Sequence, residues 1–405
     1  MEAVKKSHYV LISQSLEMLF SILHFLFLAK ILGPSLYMLY ISVVSLARIF
    51  GPINVYGRYS LLLRSSNDSN KTASSANEVI IAVLLSSFVA TFLLWPVGSY
   101  TNSSVALFLI PTIMFSEVFI FQIFNGFIVK YYALDKYTKG MNLGLLLAFL
   151  KFAIVLYLYT HDFTKLSTVV FTKFLIFSCL LLTLIVNQRL FKDLRNFSLS
   201  KHFKAEGFRF SMLYSANEIY INILILSLNF VESSAEAGKL LTCFQIIFYT
   251  CVLFNKILTV YEKNLFEVCS RGALALFKDK KIFFVKYISM SVAVGALFYL
   301  LSPILPKLLG AKYAGVEKYY FQVAIFIPIA TLAVLGRKLL HCSSRPLSAI
   351  AALFLSLVVY LSLALMFGNK NSVLLLFCVS LVFQLALQIY SLNKVKAKNS
   401  FSKTI

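Results

Sequence analysis

Apolar stretches of about 20 residues recur along nearly the whole chain, and no other feature narrows its fold so far. A helix needs about 20 mostly apolar residues to cross the ~30 Å hydrocarbon core of a bilayer. By that ruler twelve segments qualify, at residues 9–29, 36–57, 79–99, 105–129, 141–160, 167–187, 209–230, 240–260, 283–305, 319–340, 347–367 and 372–391. The expectation is an all-α polytopic membrane protein of about twelve transmembrane helices. The chain is 60% hydrophobic and 13% charged, where soluble domains average about 45–50% and about 25%. Pro52, Pro111 and Pro328 fall inside predicted helices, where neighbouring helices can satisfy the backbone groups a proline frees. The first segment follows Lys5 and Lys6, but it is long, carries Gln14 and Glu17 and lacks a small-residue cleavage site. It reads as a retained helix and not as a signal peptide.

The formal net charge of +22 would point to nucleic acid in a soluble chain. Here its placement gives a different reading. With twelve spans, 28 of the 38 Lys and Arg fall in segments on the side of the termini and 7 on the opposite side. Lys30, Lys165, Lys239, Lys307, Lys312, Lys318 and Lys370 make up the smaller group. Such a split is topogenic and predicts both termini in the cytoplasm, with no nucleic acid among the partners and with anionic lipid attracted to the basic face.

The six cysteines show no CxxC spacing and the five histidines no metal spacing, so neither a disulfide framework nor a metal is expected. No Gly-rich phosphate loop, nucleophile elbow or paired loop carboxylates occur, so no cofactor and no catalytic residue is assigned.

The longest loop, 189–207, is basic and divides the chain into two halves. The expected organisation is a six-helix bundle at 1–188, a cytoplasmic linker at 189–207, a second six-helix bundle at 208–392 and a basic tail at 393–405. A shift of 201 residues overlays Gln14, Glu17 and Ser21 on Ser215, Glu218 and Asn222, the kind of internal match expected of a repeat-built transporter.

Ionisable residues within spans cost about 2.5–3.5 kcal/mol each at a helix centre and seldom face lipid. The candidates are Glu17, Arg48, Glu117, Lys151, Lys173 and Glu218. Ser211, Ser215, Glu218 and Asn222 fall on one helical face, and Gln14, Glu17, Ser21 and His24 nearly so. Arg48 and Lys151 are candidate binders of an anionic group such as a diphosphate. Lys173 joins them as a weaker candidate, because its place near the end of a span is compatible with mere snorkelling. Glu17, Glu117, Glu218, Asn222 and Ser215 are candidates for ion coupling or for lining a polar cavity. Interhelical ion pairing without a transport role is the competing reading for all of them.

Two short stretches are similar to one family. Ala29-Lys30-Ile31-Leu32-Gly33-Pro34-Ser35-Leu36-Tyr37 resembles the A-R-x-L-G-P-x-x-Y-G signature at the first hairpin of polysaccharide-export flippases. Leu309-Gly310-Ala311-Lys312-Tyr313-Ala314-Gly315 resembles their L-F-G-x-x-Y-x-x-A segment before the tenth helix, and Gly57 to Arg64 resembles the end of their second helix. Met38 stands where the first signature ends in Gly. The family is that of the O-antigen (Wzx-type) flippases, within the multidrug/oligosaccharidyl-lipid/polysaccharide exporter superfamily.

The resemblance implies two bundles arranged as a V around a central cavity. It implies an undecaprenyl-diphosphate-linked oligosaccharide as cargo, moved from the cytoplasmic to the periplasmic leaflet of a bacterial inner membrane. It further implies the polysaccharide polymerase and the chain-length regulator of the same pathway as protein partners, with membrane lipid. Arg48 and Lys151 are assigned to the cationic lumen from their depth and not from the motifs.

A cation-coupled multidrug exporter of the same fold is the main rival, and the basic residues within the spans argue against a cationic cargo. A polysaccharide polymerase, an enzyme, would resemble its kind in carrying a large periplasmic loop. On the predicted boundaries no such loop exceeds about 15 residues.

Overall fold

The computed structural model describes residues 2–55, 69–101, 107–134, 136–188, 216, 219–228, 233–260, 281–342, 346–367 and 373–393. Helix accounts for nearly all of these residues, with no strand among them. The helices are α1 (Glu2–Val55), α2 (Ser69–Thr101), α3 (Leu109–Met114), a π-helical turn (Phe115–Phe119), α4 (Ile120–Ala133), α5 (Tyr137–Thr160) and α6 (Leu166–Asn187). They continue as α7 (Ile219–Leu228), α8 (Ser234–Val260), α9 (Lys281–Leu301), α10 (Leu305–Leu309), α11 (Tyr320–Cys342), α12 (Pro346–Phe367) and α13 (Val373–Asn393). Short 3₁₀ turns at Ser302–Ile304, Ala311–Tyr313 and Val316–Tyr319 link α9 to α11.

Ten segments among the described residues are long and apolar enough to span a membrane. They account for eleven of the twelve predicted spans, because Ser15–Gly51 holds the first two. The described part of the seventh, Ile219–Leu228, is shorter. Large side chains lie bare on the outer faces, Leu365 at 88% and Leu347 at 76% exposure among them, as expected of surfaces solvated by lipid.

A straight helix of 54 residues would run about 81 Å, far more than a bilayer's thickness. α1 is broken at Gly33, whose backbone sits at φ 70°, ψ 168°. This mirror-β conformation is all but closed to side-chain-bearing residues, and the following Pro34 also disfavours the helical region for the residue before it. Two limbs result, each long enough to span. Gly310 repeats the device at φ 88°, ψ 174°, where α10 ends. Tyr37 and Tyr313, each shortly after one of these glycines, are both fully buried. The two stretches that resemble the flippase signatures thus share one local construction, a backbone break followed by a buried aromatic anchor.

The chain forms two compact units, Met1–Leu226 and Ser227–Ile405. The basic linker expected at 189–207 lies outside the described residues, as does the tail beyond 393.

In the first unit α5 presents Gly140 and Gly144 to its neighbours. A Cβ on Gly140 would meet the Tyr132 ring at 2.6 Å, and one on Gly144 would lie 3.9 Å from the Glu17 carboxylate. Small residues four apart let helices approach closely in a membrane, where no hydrophobic force drives them together.

The second unit uses a different close approach. Pro328 lacks the N–H that would bond the Ala324 carbonyl in α11. That carbonyl faces α9 at Gly295, where an added Cβ would lie 2.5 Å from it. Five helices meet at one end of this unit, with Phe254 of α8, Tyr287 of α9, Leu339 of α11, Ala349 of α12 and Leu392 of α13 buried together.

Candidate functional site

The ionisable residues of the first unit converge. Lys173 of α6 is fully buried, and its ammonium uses all three donors. It bonds Glu117 Oε1 at 2.9 Å, the Tyr40 hydroxyl at 3.1 Å and His24 Nε2 at 2.9 Å. An ammonium has no acceptor, so His24 offers a lone pair at Nε2 and carries its proton on Nδ1. The Tyr40 hydroxyl in turn bonds the Glu117 carboxylate. His24 and Tyr40 lie on opposite sides of the break at Gly33, so the cluster ties the two limbs of α1 to α6 and to the π turn.

Lys173 therefore does not snorkel. Its exposure is 0% and that of its partner Glu117 is 7%. It is a buried, paired cation, which corrects the snorkelling expected from its position along the helix. Glu117 lies in the π turn, where the Ile120 N–H reaches back five residues to the Phe115 carbonyl. All five residues of that turn are buried. The extra residue rotates the face that follows, so a polar stripe counted at helical spacing cannot pass through Glu117.

Arg48 and Lys151 stand beside this pair and differ from it. Both are half-buried. Lys151 Nζ lies 3.4 Å from the centroid of the Phe121 ring on α4, a cation–π contact. Neither residue has a hydrogen-bond or ion-pair partner among the described residues. Lys151 lies within electrostatic reach of Glu117, Lys173, Arg48 and Glu17. On α1, Arg48 falls two turns from Tyr40 and so shares its face. The arrangement is a neutralised core of Lys173, Glu117, Tyr40 and His24 flanked by two cations with spare donors. Chemically it can hold an anion.

The polar stripe of α1 is only partly realised. Ser21 bonds the Glu17 carbonyl of its own helix at 2.8 Å. Glu17 is half-buried against Gly144, and His24 turns inward to Lys173. The side chain of Gln14 lies outside what is described, as do Ser211, Ser215 and Glu218. Asn222 is 1% exposed on α7.

Several buried polar groups were not among the residues singled out in the sequence. Lys130, one residue past the predicted fourth span at 105–129, belongs to α4 and is 6% exposed. It donates to Asn77 Oδ1 at 2.6 Å and Gln188 Oε1 at 2.8 Å. Among the described residues of the second unit no charged side chain is buried. Gln384 and Gln388 of α13 are 1% and 0% exposed, and Gln388 presses on Gly336 of α11. The amide of Gln384 has no hydrogen-bond partner among the described residues. Spaced one turn apart, the two glutamines could have been read from the sequence as an inward face.

No protein-family profile matches the chain, and no curated protein matches it. Solved structures do. An inward-facing multidrug resistance MATE family transporter of the MOP superfamily is 14% identical, covering 96% of this chain and 100% of that one, with a TM-score of 0.69. The lipid II flippase MurJ in an inward closed conformation is 14% identical, covering 96% and 88%, with a TM-score of 0.67. A MOP-superfamily transporter from Pyrococcus furiosus, for which a reversed polarity of the binding pocket suggests a different function, is 13% identical, covering 95% and 94%, with a TM-score of 0.55. These neighbours are transporters and a flippase, not enzymes. The chain is a multi-pass membrane protein with the fold of the MOP-superfamily transporters, an arrangement of helices that multidrug exporters share with a lipid II flippase.

Proposed function

We propose that this protein is a flippase for an oligosaccharide linked to undecaprenyl diphosphate. It moves the O-antigen or a related repeat unit from the cytoplasmic to the periplasmic leaflet of a bacterial inner membrane, by alternating access of its two halves. One observation carries the reading. Arg48 and Lys151 lie within membrane spans, next to a pair that has already neutralised itself, and neither has a hydrogen-bond or ion-pair partner among the described residues. A diphosphate matches two such donors, bidentate to the guanidinium and as a point-charge partner to the ammonium. The likeness to a lipid II flippase supports a lipid-linked cargo. The likeness to MATE transporters is as strong, but a cationic drug would meet two unpaired cations at this site. The 28-to-7 division of Lys and Arg supports cytoplasmic termini.

The test is complementation in a host lacking its own O-antigen flippase. The native chain restores surface polysaccharide, whereas Arg48→Ala and Lys151→Ala insert normally and stay silent. Failure of the native chain while lipid-linked repeat units accumulate in the cytoplasmic leaflet transfers the assignment to a multidrug exporter.

A further inference from the structure

The segments joined by Lys173 and Glu117 meet in two layers. Each carries its charged residue and, one turn further on, a phenylalanine: Glu117 and Phe121 on the π–α4 segment, Lys173 and Phe177 on α6. The charges pair at 2.9 Å. The rings meet edge to face, with centroids 4.8 Å apart and planes at 70°. Phe124 closes the ring layer, its centroid 5.8 Å from that of Phe121 and 6.4 Å from that of Phe177. Phe124 and Phe177 are both fully buried, so the half-buried Phe121 ring is held by two rings that have no room to move.

Lys151 of α5 sets its ammonium 3.4 Å from the centroid of the Phe121 ring. Glu117 lies within electrostatic reach of it. That carboxylate accepts from Lys173 and from the Tyr40 hydroxyl, which leaves it lone pairs to give. Lys151 nevertheless makes no ion pair with Glu117 or with any other described residue. A ring face holds a cation weakly, and a charge-assisted bond to an anionic oxygen holds it more strongly. The lysine stem is flexible and the ring is fixed, so the ammonium is the part that moves when an anion arrives.

We propose that Phe121 is a positioning residue of the anion site: its ring seats the Lys151 ammonium while the site is empty, holds it away from Glu117, and releases it to the diphosphate of the cargo. The proposal rests on the flippase reading for the identity of that anion. Loading then exchanges a weak contact for a strong one. Had Lys151 paired with Glu117, loading would first have to break an ion pair inside the protein.

The test reads the seat directly. The full-length protein in nanodiscs is reductively methylated with carbon-13 formaldehyde, which keeps each lysine charged. The ring current of Phe121 shifts the dimethylammonium resonance of Lys151 upfield. Lys151→Arg removes that resonance and so distinguishes it from those of Lys30 and Lys318, which lie over tyrosine rings. Inorganic pyrophosphate is then titrated into one sample and undecaprenyl diphosphate into another. A saturable downfield return of the Lys151 resonance is expected with both. Phe121→Leu erases the upfield shift, and calorimetry finds its binding of pyrophosphate about tenfold weaker, because Lys151 pairs with Glu117 in the empty site. Phe121→Tyr keeps the ring and restores both the shift and the affinity. If Phe121→Leu does not fold, Phe121→Met takes its place.

An upfield resonance that both diphosphates leave in place makes the contact packing alone and overturns the proposal. So does the lack of any upfield resonance that Lys151→Arg removes, or native affinity for pyrophosphate in the variant without the ring. Complementation separates the two readings. Release of Lys151 by pyrophosphate in a chain that fails to complement removes the flippase reading and keeps the seat, and complementation with an unmoved resonance does the reverse.

Discussion

Lys173 Nζ and Glu117 Oε1 meet at 2.9 Å with side-chain exposures of 0% and 6%, joining α6 to a π-helical turn in the interior of the first unit. Removing one member strands the other charge in a low-dielectric site, at a cost of about 3–5 kcal/mol. Lys173→Met and Glu117→Leu are each expected to lower thermal stability in detergent sharply. The double variant, which leaves no charge behind, should regain most of the loss. Melting curves by size-exclusion fluorescence provide the cycle. Additive losses would show that the two residues act separately and would remove the pair as the cluster's organising contact.

The two mirror-β glycines make a sharper demand on the backbone. Gly33 and Gly310 occupy a region in which any Cβ is strained, costing about 1–3 kcal/mol. Gly33→Ala and Gly310→Ala should each destabilise by that amount, whereas Gly98→Ala, at an ordinary helical φ, answers only to its neighbours Ile110 and Met114. Equal stability of Gly33→Ala and the native chain in the same melting assay would remove the strain argument and with it the account of the break in α1.

These glycines also mark how far the sequence could be read. The Gly33-Pro34 and Gly310-Ala311 stretches were visible as motifs because backbone breaks demand particular residues locally. The span lengths were visible because lipid thickness is a one-dimensional constraint. Glu117 was visible as an ionisable residue within a span but its direction was not, because a π turn shifts register inside a helix and no residue type announces such a turn. Lys173 was misjudged because position along a helix gives depth but not direction, and its three partners lie 56, 133 and 149 residues away. Lys130 fell just outside the predicted fourth span, and Asn77 and Gln188, distant in sequence, are what hold it inside. Contacts between remote helices leave no local trace.

Gly295 tests the packing of the second unit. An added Cβ would press on the Ala324 carbonyl, which is backbone and has little room to give. Gly295→Ala is expected to cost about 1–3 kcal/mol through overpacking. Pro328→Ala supplies an N–H to that carbonyl and draws it back into α11. The combination should be less destabilised than Gly295→Ala alone. Thermal melts of the three variants decide, and a combination no better than the single change would mean that the freed carbonyl does not set the spacing of α9 and α11.

α5 provides the test of orientation. Its 24 residues, Tyr137–Thr160, extend about 36 Å, enough to cross the core once. Lys136, just before it, and Lys165, just after the turn that follows it, therefore lie on opposite sides of the membrane. The proposed orientation, with both termini inside, puts Lys136 on the cytoplasmic side. In a background with the native cysteines replaced, Lys165→Cys should react with an impermeant maleimide in intact cells whose outer membrane has been made permeable. Lys136→Cys should react only after the inner membrane is breached. The reverse pattern would invert the protein in the membrane and remove the support that the 28-to-7 division of Lys and Arg gives to cytoplasmic termini.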